Sequence, residues 1–510
     1  MNAQSFREKS ICVSNTFINF ALLIQAQFVM KSLEEILDRS RRIDAIISDL
    51  QEKSTTPPSW GYLQKILNPS MHDIVHDRQG RQDKVRPGGK VDKAARLAIG
   101  LERLLCKRIN QFTFTLPVKR VYSNIDDNQT RRDIANAIER IYERAHINSM
   151  NIKRGFAYFA SCEIFTLWYV VKRQNNDYGF NSEYKLRCRT FSPLNDDVTL
   201  YPLLDEYNDM IAFSVAYQER VMDEDVDFFE TWTSDKHYKW RKDKGYGWVD
   251  EIVYEDGDGN ITYGDDIQIG KIPGSYAWKD EPTFVEGTPE LRKDVEYTHS
   301  RDSDVVAYNA APILKVAGGI KGGEDKGEVR RVYRVENGGD VAYVSWNQSQ
   351  EATKSHVDRS LDLFWQLNQM PDTSFKNMMG LGNIGYDARM TVLMDALLRT
   401  GEESQPLIEF FERECNVIKA FLKQMNKAWA SEVDNVVVTH QIQPYVLKNE
   451  EAEINLRLKA NGGKAIESQL ESIERYGKSK DAQATLDQIQ EELASEKSIQ
   501  MKSVFEEGAM

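Results

Sequence analysis

The sequence predicts an α+β fold in which helical segments accompany a long antiparallel β-meander. Three observations lead to this class. Residues 130–148 place Ile134, Ile138 and Ile141 on one helix face. Residues 184–272 contain aromatic and β-branched runs of alternating polarity, separated by turn signals at short intervals. From residue 288 onward, charged helical segments alternate with glycine-rich connections.

We expect the elements to follow this order along the chain. Strands are expected over about 114–123, in the meander, within 311–346 and over about 435–446. Within the meander, the segment 255–260 fits a hairpin turn better than a calcium loop, which would need glycine at Ile261 and glutamate at Ile267. Helices are expected over about 32–50, 92–112, 130–148, 288–310, 347–369 and 386–399, in one more reaching Met425, and in two after residue 450.

Composition sets limits on the class of protein. A length of 510 residues predicts two to four domains, and 41% hydrophobic residues are enough to form a buried core. The net charge is −13, whereas proteins that bind nucleic acid tightly through its phosphates are usually basic. This charge argues against a tight DNA binder, although it leaves room for a protein that handles DNA without holding it.

Neither a metal site nor a disulfide framework is predicted. The five cysteines are widely spaced and contain no C-x-x-C pair, which fits a reducing compartment. His72 and His76 are the one pair of histidines four residues apart, and they lack the glutamate of an H-E-x-x-H motif. We therefore predict no metal ligands and no cofactor.

The N-terminal residues 1–29 include an apolar stretch, Phe17 to Val29, that has some features of a signal peptide. Asn19, Gln25 and Gln27 interrupt it, and it is too short and too polar to span a bilayer. We interpret residues 1–29 as an N-terminal extension or arm and predict no membrane segment. Ser32 and Glu35 form a capping box that predicts the start of the first helix.

Gly380, Gly382 and Gly385 match the G-x-G-x-x-G spacing of a dinucleotide-binding turn. That turn requires a strand before the first glycine and a helix after the last, whereas here helices are predicted on both sides. No other catalytic signature occurs, so we predict no catalytic residues. The loop is glycine-rich, apolar and carries Lys376, which fits either an ordinary connector packed on its own chain or a loop that touches a ligand.

Several segments, taken in order, are similar to the portal proteins of long-tailed bacteriophages. They cover roughly residues 90 to 505, and no single one is a strict signature. They are KRINQFTFTLPVKRVYS, IANAIERIYERAHIN and KRGFAYFASCEIF, then GKIPGSYAW, the helix–strand insert–helix region of 288–369, GLGNIGYDARM, and the tail KAIESQLESIERYGKSKDAQATLDQIQEELASE.

The resemblance implies a portal fold with an α/β wing, a helical stem, a small β-containing clip and a helical crown. The extension of residues 1–29 has no counterpart in the family, and the crown is short for the family. The implied domains are the wing at 30–287 with its return part at 386–450, stem helices at 288–310 and 347–369, the clip at 311–346, the tunnel loop at 370–385, and the crown and tail at 451–510.

The resemblance also implies a function. Portal subunits form a ring of about twelve at one capsid vertex, through which double-stranded DNA passes without sequence specificity. The implied partners are the terminase large subunit, which hydrolyses ATP, the major capsid protein, and the head-completion or neck proteins. The portal itself is not an enzyme. The implied location is the virion, after assembly in the host cytoplasm.

Two groups of site residues follow from the resemblance. The clip residues expected at the terminase or neck interface are basic, although a solvated basic strand explains them equally well: Lys326, Arg330, Arg331 and Arg334. The residues expected to border the DNA path are those of the tunnel loop: Lys376, Asn377, Met378, Met379, Gly380, Leu381, Gly382, Asn383 and Gly385. We expect Lys376 either to make a weak phosphate contact or simply to solvate the loop.

Two other functions stay open on the sequence. One is a different phage head or tail structural protein, such as an adaptor or a minor capsid component. The other is a nucleotide-binding enzyme that uses the Gly380–Gly385 loop, which the predicted helical context makes much less favoured.

Overall fold

The computed structural model describes most of the chain beyond residue 30. The described residues are 31–85, 89, 91–125, 127–195, 198–256, 260–309, 313–318, 320–325, 331–335, 340–344, 350–372, 391, 393–444, 459, 468–476 and 482–507. The chain divides into two compact units. One comprises Met1–Gly382 with Thr391–Tyr445, and the other comprises Asn383–Met390 with Val446–Met510.

The N-terminal part of the first unit is built from short helices. They are α1 (Leu33–Ile36), α2 (Ile43–Leu50), α3 (Trp60–Leu67), a 3-10 turn (Pro69–Met71) and α4 (Asp73–His76). The predicted capping box is confirmed, because the Ser32 hydroxyl accepts from the Glu35 N–H and the Glu35 carboxylate accepts from the Ser32 N–H. The single helix expected over 32–50 is wrong, since residues 37–42 separate two helices.

A two-stranded ribbon, β1 (Lys84–Val85) with β2 (Val91–Asp92), precedes α5 (Leu101–Phe114). The helix predicted from about Asp92 therefore begins nine residues later than expected. The reason lies in residues 95, 97 and 99, whose N–H groups donate to side chains of a later helix rather than to carbonyls of their own turn. Next come β3 (Lys119–Ser123), α6 (Gln129–Arg144) and α7 (Ile147–Ser161).

The predicted antiparallel meander is confirmed and is larger than expected, because β4 begins at Glu163. Its strands are β4 (Glu163–Asn175), β5 (Ser182–Phe191), β6 (Thr199–Leu204), β7 (Met210–Val221), β8 (Glu224–Trp232), β9 (Lys236–Asp243), β10 (Gly247–Asp250), β11 (Val253–Glu255), β12 (Ile261–Tyr263), β13 (Asp265–Asp266) and β14 (Gly274–Trp278). β11 pairs with β12 as a hairpin, as the turn prediction required.

These strands form two principal sheets. The larger has the order β10-β9-β8-β7-β6, with β13 paired to β9, and the smaller has the order β14-β4-β5. The sheets pack against each other through apolar side chains, and the rings of Phe165 and Phe213 stack with centroids 3.7 Å apart. On the other face of the larger sheet, α1 and α2 cover Phe229 and Trp240.

Two long helices enclose a small β insert. After α8 (Thr288–Asn309) come β15 (Ile313–Ala317), β16 (Ile320–Asp325), β17 (Arg331–Val335) and β18 (Asp340–Val344), and then α9 (Gln350–Leu367). β15 pairs with β18 and β16 pairs with β17, both antiparallel. The β16–β17 hairpin is therefore inserted in sequence between the two strands of the β15–β18 ribbon.

The chain then returns to the first unit. α10 (Met394–Glu403) and α11 (Gln405–Met425) are separated at Ser404, with Pro406 in the first turn of α11. Two short 3-10 turns (Lys427–Trp429 and Val433–Asn435) lead to β19 (Val437–Gln441), which pairs antiparallel with β3. In the second unit, α12 (Gln469–Tyr476) and α13 (Ala482–Glu507) contact each other.

The mixed helical and β architecture confirms the α+β class. Within the described residues, no helix has the length and apolar character needed to cross a bilayer. The same residues contain no group of His, Cys, Asp and Glu side chains that could hold a metal ion.

Candidate functional site

The feature that distinguishes this fold is the antiparallel pair of long helices, α8 and α9. Near the start of α8, the Val285 N–H donates to Asn368 Oδ1 at 3.0 Å, just after the end of α9. Farther along α8, the Asp294 carboxylate lies 2.7 Å from the His356 ring of α9. The first contact joins residues 285 and 368, and the second joins residues 294 and 356, so the two helices run antiparallel. The chain therefore leaves the body on α8 and returns on α9.

Both helices are largely charged or polar on their exposed surfaces, and their buried residues are few. In α9 the described N-terminal half is exposed or half-buried, and full burial begins only at Ser360, Phe364 and Trp365. Val357, Leu361 and Phe364, which are spaced as one apolar stripe of α9, are half-buried or buried. The N-terminal half of α9 and the last turn of α8, beyond Asp304, therefore project from the body, which holds α8 from Thr288 to Asp304.

One anchor of this projection is a repeated set of hydrogen bonds along α8. Glu296, Ser300 and Asp304 lie four residues apart on one helix face. They accept from the backbone N–H groups of Ile99, Leu97 and Ala95, at 2.7, 2.9 and 2.9 Å respectively. Four helical residues rise about 6 Å, and two extended residues span about 6.6 Å. The spacing of the acceptors along α8 therefore matches the spacing of the N–H donors of residues 95, 97 and 99, and three successive hydrogen bonds form.

A buried cluster of charges surrounds Glu296. Its Oε1 lies 2.6 Å from His72 Nδ1, and its Oε2 accepts from Arg292 at 2.7 Å. Arg292 also donates to Glu102 at 2.9 Å, and the second His72 nitrogen lies 2.8 Å from the Ile66 carbonyl oxygen. Burial raises the pKa of Glu102, which Arg292 opposes. Every charge in this cluster has a partner of opposite sign, as burial requires.

The second anchor holds the end of α9. Gln369 adopts a left-handed backbone conformation (φ 50°) just past the helix end. Arg399 of α10 donates to the carbonyl oxygens of Asn368 and Thr283. Arg108 of α5 donates to the Pro371 carbonyl and the Asp372 carboxylate, both at 3.1 Å.

The Arg108 guanidinium also lies 4.0 Å from the centroid of the Trp365 ring, which adds a cation–π contact. The chain is thus fixed to the body immediately before residue 373. Beyond residue 390, Arg399 ties α10 to the end of α9 through its bond to Asn368.

The predicted tunnel-loop residues, Lys376 to Asn383 and Gly385, lie outside the described residues. Lys326 and Arg330 of the predicted clip patch also lie outside them. Arg331 and Arg334 are in strand β17, where their backbone partners across the ribbon are Asp325 and Gly322. Helix α9 ends before the glycine loop and α10 begins after it, in agreement with the predicted order of helices, whereas the glycines and the residues 373–390 around them lie outside the described residues.

Sequence reasoning missed the role of His72. It considered this residue only as a metal ligand, whereas the fold buries it against Glu296, 224 positions away. The sequence signal was weak: Glu296 and Arg292 stand four residues apart, the spacing of a helical ion pair. Nothing in the local sequence indicates that a histidine and a second carboxylate join that pair.

Comparison with known proteins identifies the architecture. A family profile described as "Phage portal protein, SPP1 Gp6-like" matches residues 58–498. The chain belongs to the phage portal protein family. It is therefore a portal protein, a structural component of phage-like particles. The resemblance and the portal fold expected from the sequence are confirmed.

Two solved structures contain chains that are similar to this portal protein. One similar chain comes from "Neck of empty GTA particle computed with C6 symmetry". It shares 10% identity, with 82% of this chain and 93% of that chain covered, at a TM-score of 0.38. Another comes from "Virion of native gene transfer agent (GTA) particle", with 9% identity, 84% and 96% coverage and a TM-score of 0.30. No curated protein matches the sequence.

Proposed function

We propose that this portal protein forms a ring of about twelve copies at one capsid vertex, with a central channel for double-stranded DNA. The observation that supports this most directly is the antiparallel pair of long helices, which the body holds along α8 and at the end of α9 and whose far end projects. In this proposal α8 and α9 are the stem, the nested ribbons β15–β18 are the clip, and the segment 370–385 between α9 and α10 is the tunnel loop. Residues 30–287 and 386–450 are the wing, and residues 451–510 are the crown and tail.

The negative net charge of the chain favours a channel through which DNA passes over a protein that binds DNA tightly. The chain carries a net charge of −13, so the repeated subunits would repel the phosphate backbone over distances of about one Debye length, roughly 8–10 Å at physiological salt. DNA would then slide through without being held. Within the channel, Lys376 of each copy would supply one weak phosphate contact without reading sequence.

In this proposal the clip and the wing contact different partners. The clip, with Lys326, Arg330, Arg331 and Arg334, would contact the terminase large subunit during packaging and the head-completion or neck proteins afterwards. The wing would contact the major capsid protein. Packaging energy would come from ATP hydrolysis by the terminase, and the portal would assemble in the host cytoplasm before becoming part of the vertex.

The experiment that tests this proposal is electron microscopy of the purified protein. Negatively stained particles are expected as rings with a central hole, and class averages give the copy number. A second measurement is the melting temperature with and without ATP or NAD. A monomer whose melting temperature rises with nucleotide would overturn the ring and favour an enzyme that uses the Gly380–Gly385 loop. A monomer without nucleotide response would favour another head or tail component.

A further inference from the structure

The turn between β7 and β8 displays a large apolar side chain on a strained backbone. Met222 and Asp223 both lie in the left-handed region, with φ of 49° and 70°. This two-residue turn normally uses glycine or asparagine, because other residues pay roughly 1–2 kcal/mol there. Met222 is also 96% exposed. Neither the backbone nor packing within the subunit accounts for a methionine at this position.

The strand ends around Met222 are acidic. Residues 218–227 contain Glu219, Asp223, Glu224, Asp225 and Asp227 against the single cation Arg220, a net charge of −4. Arg220 and Lys244 form exposed pairs with Asp223 and Glu224, at 3.4 and 2.9 Å, and Lys242 lies 3.7 Å from Asp227. In the described part of the chain, Glu219 and Asp225 have no ion-pair partner. We call residues 218–227 the acidic tip.

A second surface has the opposite character. On the outer half of the β4–β5 hairpin, four large apolar side chains are about 40% exposed: Tyr169, Val170, Val171 and Tyr184. Residues 169–174 and 183–189 carry Lys172, Arg173, Lys185, Arg187 and Arg189 against the single carboxylate Glu183, a net charge of +4. We call these two segments the basic face; Tyr169, Val171, Lys185 and Arg187 lie on one side of its sheet, and Val170, Lys172 and Tyr184 lie on the other.

Apolar and cationic residues are side by side on this face. Tyr169 is paired across the ribbon with Arg187, and Val171 with Lys185, so each pair shares one side of the sheet. A groove of about 510 Å³ adjoins the hairpin. Its lining includes the apolar side chains of Tyr169, Val170, Tyr184, Ile267 and Met425 and the carboxylates of Glu230, Asp265 and Asp266. A methionine side chain is a flexible filler for a groove of this kind.

We infer that the acidic tip of one copy docks on the basic face of the next copy, with Met222 in the adjoining groove. The two segments carry opposite charges in sequence, −4 and +4, and Lys185 of the basic face is paired with Asp177 at 2.5 Å. Among the described residues no ion pair joins them within one subunit. Two different patches on one chain make a heterologous contact, and repetition of such a contact closes a ring when the rotation allows it. This inference rests on the ring proposed above.

Charge reversal and its rescue test the inference. One variant combines Glu219→Lys with Asp225→Lys, a second combines Arg173→Glu with Arg187→Glu, and a third carries all four changes. Each two-site variant is expected to need at least about tenfold more protein for assembly in sedimentation velocity, because its two changes bring the net charge of one surface from −4 or +4 to zero. The four-site variant, in which new lysines of the acidic tip meet new carboxylates of the basic face, is expected to recover part of this loss.

Two outcomes separate failure of this inference from failure of the proposed function. If the parent forms rings and the two-site variants assemble equally well, or if the four-site variant stays as defective as they are, the inference is overturned while the ring stands. If the parent forms no ring, the proposed function itself fails. Thermal melting by circular dichroism controls for folding, because all four side chains are exposed.

The variant Met222→Gly is a second test, because it is expected to leave the melting temperature equal or raise it and to weaken assembly. Glycine relieves the left-handed backbone, so the isolated subunit is expected to melt at an equal or higher temperature than the parent. Assembly is expected to weaken, because the docked side chain is gone. Unchanged assembly with the same melting behaviour would remove Met222 from the interface and contradict the inference.

Discussion

Arg154 and Glu414 form a two-bond ion pair in the interior of the portal body. Nη1 donates to Oε1 at 2.6 Å and Nη2 to Oε2 at 2.9 Å, although the two side chains are only 2% and 1% exposed. The Trp168 indole N–H also donates to Glu414, at 3.0 Å. Helices α7 and α11 and strand β4 therefore meet at one pair of charges.

Replacement of Glu414 by glutamine is expected to lower the free energy of unfolding by about 3–5 kcal/mol, because the Arg154 charge then stays buried without its counter-charge. Urea unfolding followed by tryptophan fluorescence measures the loss. Arg413→Ala is the matched control on the same helix, since its pair with Glu409 is long and exposed and is expected to contribute less than about 1 kcal/mol. Equal losses in the two variants would contradict this prediction.

His440 predicts a pH dependence of stability. Burial lowers its pKa from 6.5 to about 4, and neither ring nitrogen has a hydrogen-bond partner among the described residues. The unfolded chain therefore takes up a proton between pH 6.5 and 4 that the folded chain refuses. Stability is expected to be full above pH 6.5, to fall by up to about 3 kcal/mol as the pH drops to 4, and to lose no more from this group below that.

The variant His440→Phe tests the contribution of this histidine. The ring lies 6.0 Å from that of Phe411, so phenylalanine retains an aromatic neighbour and forfeits no hydrogen bond. Unfolding free energies at pH 7.5, 6 and 4.5 are expected to differ less in the variant than in the parent. A pH slope unchanged by the substitution would assign the acid sensitivity to other groups.

Two helical glycines predict opposite effects of the same substitution. A Cβ at Gly155 would lie 2.3 Å from Asn110 Oδ1 and 2.4 Å from the Phe114 ring, where α7 packs on α5. Gly155→Ala is expected to destabilise the protein by about 1–3 kcal/mol through this overlap. At Gly401 nothing lies within 4 Å, so Gly401→Ala is expected to stabilise by about 0.5–1 kcal/mol. Thermal melting shows whether each variant is less or more stable than the parent, and a change in the same direction in both variants would refute the packing argument.

Lys376 is the one cation in the sequence of the predicted tunnel loop, residues 370–385. Lys376→Ala is expected to change the amount of DNA packaged or retained in particles, because each copy loses one phosphate contact. Rings of normal size in negative stain would show that assembly is intact. Packaging and retention equal to those of the parent would mean that the lysine only solvates the loop.

The sequence predicted the parts of this fold that local patterns specify. The stripe of Ile134, Ile138 and Ile141 identified α6, and alternation of polarity identified the meander, because both periods are set within one element. The failures share a different cause. The stretch before Leu101 was expected to be helical, but its N–H groups are bound by α8, some 200 residues later.

The same limit applies to the site. Glu102, His72 and Glu296 look like ordinary surface or loop residues in sequence, and only the fold brings them together. The sequence disfavoured a dinucleotide turn at the glycine-rich loop because that motif depends on the neighbouring elements, which periodicity does predict. The Met222 turn carried no sequence signal, since its left-handed backbone becomes evident only in three dimensions.

The matched repeats of α8 and residues 95–99 determine how a load on α8 reaches the rest of the first unit. Three donors meet three acceptors at a common spacing of about 6 Å, so a shift of α8 by half that distance would leave all three donors unpaired at once. Small displacements are therefore opposed by all three bonds together. In the proposed ring, α8 and residues 95–99 should move as one body under the force of DNA transport, up to a threshold at which the contact is lost in a single step.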